Sequence, residues 1–269
     1  MKRYAAAMKQ HLGEYARNEL GVEEPGIYKG REYTHILPHR SRYLNLMDAA
    51  RGEIRAYLGE NPQVKEHQFF HHLNSSQAFA LNLFYPYFFA GGPAARVLSK
   101  ALGIDADVRA WEFEAVLDNN EGTNVDVFWT THHGARVFCE VKLTEAEFGQ
   151  AKADARHLEK LGSIYAPRLS SLVREDFLNT EFFFKHYQIL RNISLLAERE
   201  IDQLIFLMPR ENEALVAPLD RVLAGVRAGA RHRIHVAYVE DCLGDLATSE
   251  SVEESLRSYA SKLREKYII

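Results

Sequence analysis

Three carboxylates and one lysine sit at strand-like spacing inside a short stretch of the chain: Glu114, Asp126, Glu140 and Lys142, between Trp111 and Leu143. Like charges brought together repel and raise one another's pKa, so such a set needs a counter-charge. A hard divalent cation with oxygen ligands supplies one, and Lys142, two residues beyond Glu140, adds an ammonium.

The residues between them say how they are held. The runs WEFEAVL, TNVDVFW and RVFCEVKL alternate apolar and polar residues, and the gaps DNNEG and THHGA are turn-like, which predicts three antiparallel strands joined by two hairpins. Successive side chains point to opposite faces. Trp111, Phe113, Ala115 and Leu117, then Val125, Val127 and Trp129, then Val137, Cys139, Val141 and Leu143 are therefore expected on the core face, and the acidic residues and Lys142 on the other. With the first turn centred on Asn120, Glu114 lies opposite Asp126. With the second centred on His133, Asp126 lies opposite Glu140, so the three carboxylates form one row. A one-residue slip would break it. The ordinary structural reading is a solvated face on which Lys142 pairs with Glu140 and Asp126; His132 and His133 read as solvated turn residues.

The chain has 269 residues, is 46% hydrophobic and carries 33 Lys+Arg against 37 Asp+Glu, a net charge of -4. No global basic field marks it as a non-specific nucleic-acid or membrane binder, though a local basic groove is compatible with these totals. The two cysteines, Cys139 and Cys242, suggest neither a disulfide framework nor a zinc site. With no signal-like N-terminus and no stretch near the ~20 apolar residues of a membrane span, the expectation is a cytoplasmic protein without membrane contact.

Around the strands, Tyr4, Met8, Leu12 and Tyr15 predict an N-terminal helix that stops near Gly21, and residues 22–40 read as an irregular connection. Ser41 is expected to cap a second helix that runs to Gly59. Asn74, Ser75 or Ser76 caps an apolar helix limited by Pro86, and Pro93 and Gly103 bracket a short one. Thr144 and Glu147 form a capping box for a helix to Leu161, with Gly162 as its stop. A long helix over 180–198 carries the polar cluster Gln188, Arg191 and Asn192. Leu204–Met208, a helix over Leu219–Val226, and Arg233–Glu240 predict a parallel β-α-β unit, and Ser251 with Glu254 caps a closing helix. The fold expected is α/β: a mixed central sheet, three antiparallel strands leading into the parallel unit, flanked by helices, with residues 1–70 as a helical extension packed on a domain of residues 71–269.

An acidic residue on one strand, an Asp after a hairpin and Glu140-Val141-Lys142 on the next strand, followed by helix, resemble the PD-(D/E)XK nuclease superfamily with its restriction-endonuclease-like fold. Asp126 matches the motif Asp, and Glu140 and Lys142 match the (D/E)-x-K. Val125 stands where the family's name has Pro. In many members the upstream acid comes from the preceding helix, where this chain has Ser75, Ser76 and Gln77; Glu114 is the candidate here. The resemblance implies metal-dependent hydrolysis of phosphodiester bonds in DNA, in restriction, repair or mobile-element defence. Asp126, Glu140, the Val141 carbonyl and Glu114 would hold Mg²⁺, for which Mn²⁺ may substitute. Lys142 would orient or deprotonate the attacking water or stabilise the transition state. Ser76, Gln77, Gln188 and Arg191 are candidate phosphate contacts. Nucleic acid, with DNA foremost, is the expected partner, and homodimerisation is left open. The alternative is a protein that keeps the fold and binds or scaffolds nucleic acid without cleaving.

Overall fold

Alternating burial along the strands builds the centre of the molecule. The computed structural model describes residues 2–118, 122 and 124–269, so the turn centred on Asn120 lies outside the described residues. The main sheet has five strands in the order β3 (Val108–Val116), β4 (Asn124–Thr131), β5 (Arg136–Val141), β6 (Gln203–Met208) and β7 (Ile234–Tyr238). The first three pair antiparallel and the last two join in parallel, as the hairpins and the β-α-β pattern predict.

Each face of the sheet feeds its own apolar cluster. Phe113, Val127, Trp129, Val137, Cys139, Val141, Ile205 and Leu207 pack under α2 (Asp48–Glu60), α3 (Ser76–Ala90), α4 (Gly92–Ala101), α11 (Val239–Thr248) and α12 (Glu254–Tyr267). Phe128, Phe138, Leu204, Phe206 and Met208 meet the cluster that α5 to α9 build: α5 (Ala155–Lys160), α6 (Ala166–Leu169), α7 (Thr180–Lys185), α8 (Tyr187–Ser194) and α9 (Glu213–Leu223). A four-residue α10 (Ala228–Arg231) leads into β7. The acidic row therefore does not lie on a solvated face; helices cover both sides of the sheet. Val125 departs from strict alternation and packs in the second cluster, beside the point where Glu114 takes a left-handed backbone at φ 52°.

The N-terminal seventy residues share this core. α1 (Lys2–Asn18) buries Tyr4, Met8 and Leu12 against Leu37 and Leu73, while Leu46, Met47, Ala50 and Ile54 join the cluster under α3. The span 22–40 is less irregular than its prolines and glycines suggest: β1 (Gly26–Tyr28) and β2 (Arg31–Tyr33) form a small hairpin. Ser41 is not a cap; it lies inside a 3₁₀ turn over His39–Asn45, and α2 starts after Met47.

Ser75 caps α3 by accepting from the Ala78 amide at 3.3 Å. Pro86 does not stop that helix. The ring removes the amide that would bond the Asn82 carbonyl, and the Tyr259 hydroxyl donates to that carbonyl instead, at 2.8 Å.

The Thr144–Glu147 capping box does not form because its side chains serve other partners, Thr144 accepting from Asn74 and Glu147 from Gln150. Glu145 accepts from the Leu143 amide, and no helix forms until α5, capped by Asp154. Gly162 lies within a π-helical turn over Leu161–Tyr165 rather than after a stop. The closing helix begins after Glu253, not Ser251. The long helix expected over 180–198 breaks at His186 into α7 and α8. The crossover helix α9 starts at Glu213, well before Leu219, and the strand expected over Arg233–Glu240 turns into α11 after Tyr238.

Candidate active site

β3, β4 and β5 carry the acidic residues to one end of the sheet, where the start of α3 and the face of α8 meet it. The pairs Phe113 with Val127 and Ala115 with Val125 put Glu114 across from Asp126. The β4–β5 ladder runs from Thr130 with Arg136 to Val127 with Cys139, and one further step faces Asp126 with Glu140. The side chains then turn in different directions. Glu114 accepts from Gln77 Nε2 at 2.9 Å and from Asn124 Nδ2 at 3.2 Å. A left-handed backbone at a non-glycine residue in a strand is strained, and here that strain sits in the site itself. Asp126, half-buried, accepts from the Val141 amide at 2.7 Å. Glu140, only 2% exposed, accepts from Lys142 Nζ at 2.7 Å, Gln188 Nε2 at 2.6 Å and Asn192 Nδ2 at 2.7 Å, with an Arg191 nitrogen at 3.8 Å. Among the described residues, no three His, Cys, Asp or Glu side chains stand close enough together to hold a metal ion.

The electrostatics separate the two central carboxyls. Burial, then the charge of Glu140, pushes the Asp126 carboxyl well above its ordinary range, and Lys142 only partly offsets this. Burial acts on Glu140 the same way, but Lys142 and Arg191 more than compensate, so its carboxyl falls below the ordinary range. Burial alone would lower Lys142; Glu140, Asp126 and Glu145 overcome it and hold the amine protonated. As the protein stands, Lys142 is a cation rather than a base. The carboxylates offer oxygen donors: Asp126, Glu114 and Glu145 share the cleft with two lysines, Lys9 and Lys142, and Lys142 also pairs with Glu140. Such a set fits a hard divalent cation.

A family model described as Restriction Endonuclease associating with ARP matches residues 5–268. The chain belongs to this family. Neither a curated protein nor a solved structure matches it. The match takes in the N-terminal residues together with the sheet, and the restriction-endonuclease-like, mixed α/β fold expected from the motif is the fold observed. Among the described residues, no helix is long and apolar enough to cross a membrane.

In this restriction-endonuclease family chain the four candidate phosphate contacts divide into two groups. Ser76 and Gln77 line a cleft of about 500 Å³ together with Glu114, Asp126 and Lys142. Gln77 is firmly placed: it accepts from the His67 amide at 2.7 Å and donates to the Lys65 carbonyl at 2.9 Å. Gln188 and Arg191 stand behind Glu140 instead. Gln188 bridges the Gly149 amide to Glu140, and Arg191 binds the Asn192 amide oxygen. Both reach Glu140, and neither lines the cleft.

The three- and four-residue spacing of Gln188, Arg191 and Asn192 marks one polar cluster in the sequence, and in the structure the amides of Gln188 and Asn192, four apart on one helix face, both bond Glu140. His72, Asn74, Thr144 and Glu145 also line the cleft. Nothing in their own spacing marks His72 and Asn74, because a tertiary contact across the sheet, the Asn74–Thr144 bond of 2.6 Å, brings them in.

Proposed function

We propose that this protein is a Mg²⁺-dependent nuclease that hydrolyses phosphodiester bonds of DNA at the cleft between α3 and the β3–β5 meander. The observation that carries the reading is Lys142 and Asp126 lining one cleft, with Glu140 fixed immediately behind them. Asp126 and Glu140 would hold the cation, with the Val141 carbonyl and Glu114 as further oxygen donors. When bound, the cation supplies Lewis acidity and counter-charge for a developing phosphorane. Mn²⁺ would serve in its place.

The protein's own groups do the rest. Gln188, Asn192 and Arg191 hold Glu140 ionised and in place. Lys142, already charged, stabilises the negative charge that grows on the phosphate oxygens, a role its raised pKa favours over proton abstraction. Ser76, at the start of α3, offers a hydroxyl and a helix N-terminus to the phosphate. Residues 1–70 act as an extension that walls the cleft, through Lys9 and His67, rather than as a separate module. Association with ARP, named in the family description, belongs to the same proposal, as does a cytoplasmic setting for a chain whose two cysteines are free and buried.

One observation favours the non-cleaving alternative: both oxygens of Glu140 are already occupied by donors. Cleavage of a supercoiled plasmid separates the two. The parent should nick or linearise it with Mg²⁺ or Mn²⁺ and not with EDTA, and Asp126→Ala, Glu140→Ala and Lys142→Ala should not. No cleavage of single- or double-stranded DNA or RNA under any of these conditions would leave binding or scaffolding as the function.

A further inference from the structure

One aromatic side chain near the cleft is not explained by packing. Phe70 belongs to the main apolar cluster, but its neighbour Phe69 belongs to none of the three clusters and is only half-buried. It lines the cleft beside His67 and His72, on the same wall-to-wall space as Asp126 and Lys142. Its ring is braced: the His72 ring lies 4.9 Å away at 35°, and Tyr28 of the β1–β2 hairpin meets both rings edge-on, at 5.4 Å and 5.5 Å. The His67 ring flanks it at 5.2 Å. A fixed, half-buried aromatic ring in the wall of a polar cleft offers a surface on which something flat can lie.

The cleft's size and chemistry narrow what that is. About 500 Å³ falls within the roughly 300–1,000 Å³ of small-ligand sites, room for one nucleotide. Burial, with His71 and His35 nearby, pushes His72 down to about 4, so its ring is neutral at pH 7 and stacks as a π-face.

Resting on the nuclease reading, we infer that Phe69, braced by His72 and Tyr28, is a stacking platform for one unpaired nucleobase beside the phosphate that Asp126 and Lys142 handle. The substrate strand is therefore single or locally unpaired at this point. The base lies on the Phe69 ring, and the backbone passes Lys9 and Lys142, which line the same cleft. The N-terminal extension thereby selects substrate, since Tyr28, His67, Phe69 and His72 all lie in or next to it.

Binding of labelled DNA in Ca²⁺, which blocks turnover, tests this with three probes: a single strand, a duplex with one unpaired nucleotide, and a fully paired duplex. The first two should bind about tenfold more tightly than the third, the scale of one base–aromatic stack. Phe69→Ala should bring all three to the paired-duplex level. Phe69→Leu, which keeps an apolar side chain but removes the aromatic face, should do the same. Equal affinity for the three probes, or a preference that survives both substitutions, would overturn the platform while plasmid cleavage kept the nuclease reading intact. If the parent binds none of the probes, both readings fall together.

Discussion

Two buried lysines in this chain meet opposite fates. Lys142 sits among Glu140, Asp126 and Glu145, and its pKa is driven upward. Lys266, 1% exposed, sees only neutral acceptors: its ammonium donates to the Asn45 carbonyl at 2.6 Å and to Asn45 Oδ1 at 3.0 Å, and burial lowers it to about 7. Around Lys266 the polar groups close on themselves. Asn45 also bonds the Phe70 and His72 carbonyls, and Asn82 ties the Met47 amide and the Tyr267 hydroxyl. This cluster fastens the N-terminal extension to α3 and α12. Around Lys142 the sum does not close: Asp126 has one amide partner and a carboxyl forced upward. A satisfied buried network specifies structure, whereas one with excess charge of one sign leaves work for a ligand.

The difference is sharpest in what each lysine's neighbourhood loses on mutation. Lys142→Ala should lower the cleavage rate by ~10²–10³, with DNA affinity much less affected, because a transition-state contact is removed while the phosphate contacts stay. Single-turnover kinetics beside a binding isotherm measure the two. At the other lysine, Asn45→Ala should cost about 2 kcal/mol in denaturant unfolding, since it takes the side-chain donor from the buried Phe70 carbonyl and one of the two acceptors from Lys266. Cleavage per folded molecule should be unchanged. An equal loss of activity in Asn45→Ala would mean that the two clusters are not separate.

Lys266 also makes a pH prediction whose sign follows from its lowered folded value. Between about 7 and the ordinary 10.5, the unfolded chain holds a proton that the folded chain lacks. Stability should therefore rise from pH 7 toward about pH 9, by at most ~1.4 kcal/mol per pH unit for this one proton. Lys266→Met should flatten that rise. The smallest effect expected is at the helix cap beside the cleft: Ser75→Ala should cost ~1 kcal/mol, read as a shift in Tm.

The contrast also explains what could be read from sequence. Strand alternation and hairpin centring placed Glu114, Asp126, Glu140 and Lys142 in register, since a buried face fixes register strongly. The parallel unit was legible from LIFLM and RIHVAYVE for the same reason. The local capping signal at Thr144 misleads because a tertiary partner, Asn74, takes its hydroxyl. The β1–β2 hairpin went unseen because three-residue strands carry too little alternation to register. The Lys266 cluster was invisible, as its members, residues 45, 82 and 266, meet only in three dimensions.

The central claim, that the Asp126 end of the sheet carries a negative charge awaiting a cation, is tested most directly by a Mg²⁺ titration of Tm for the parent and for Asp126→Asn. In EDTA at pH 7 the variant should be the more stable, since it keeps an oxygen for the Val141 amide and removes a carboxylate that burial and Glu140 disfavour. Mg²⁺ should raise the Tm of the parent, following ligand linkage, and leave the variant unchanged. A parent indifferent to Mg²⁺ and Mn²⁺, with Asp126→Asn less stable than it, would contradict the account and make the acidic row a structural network like the one around Lys266.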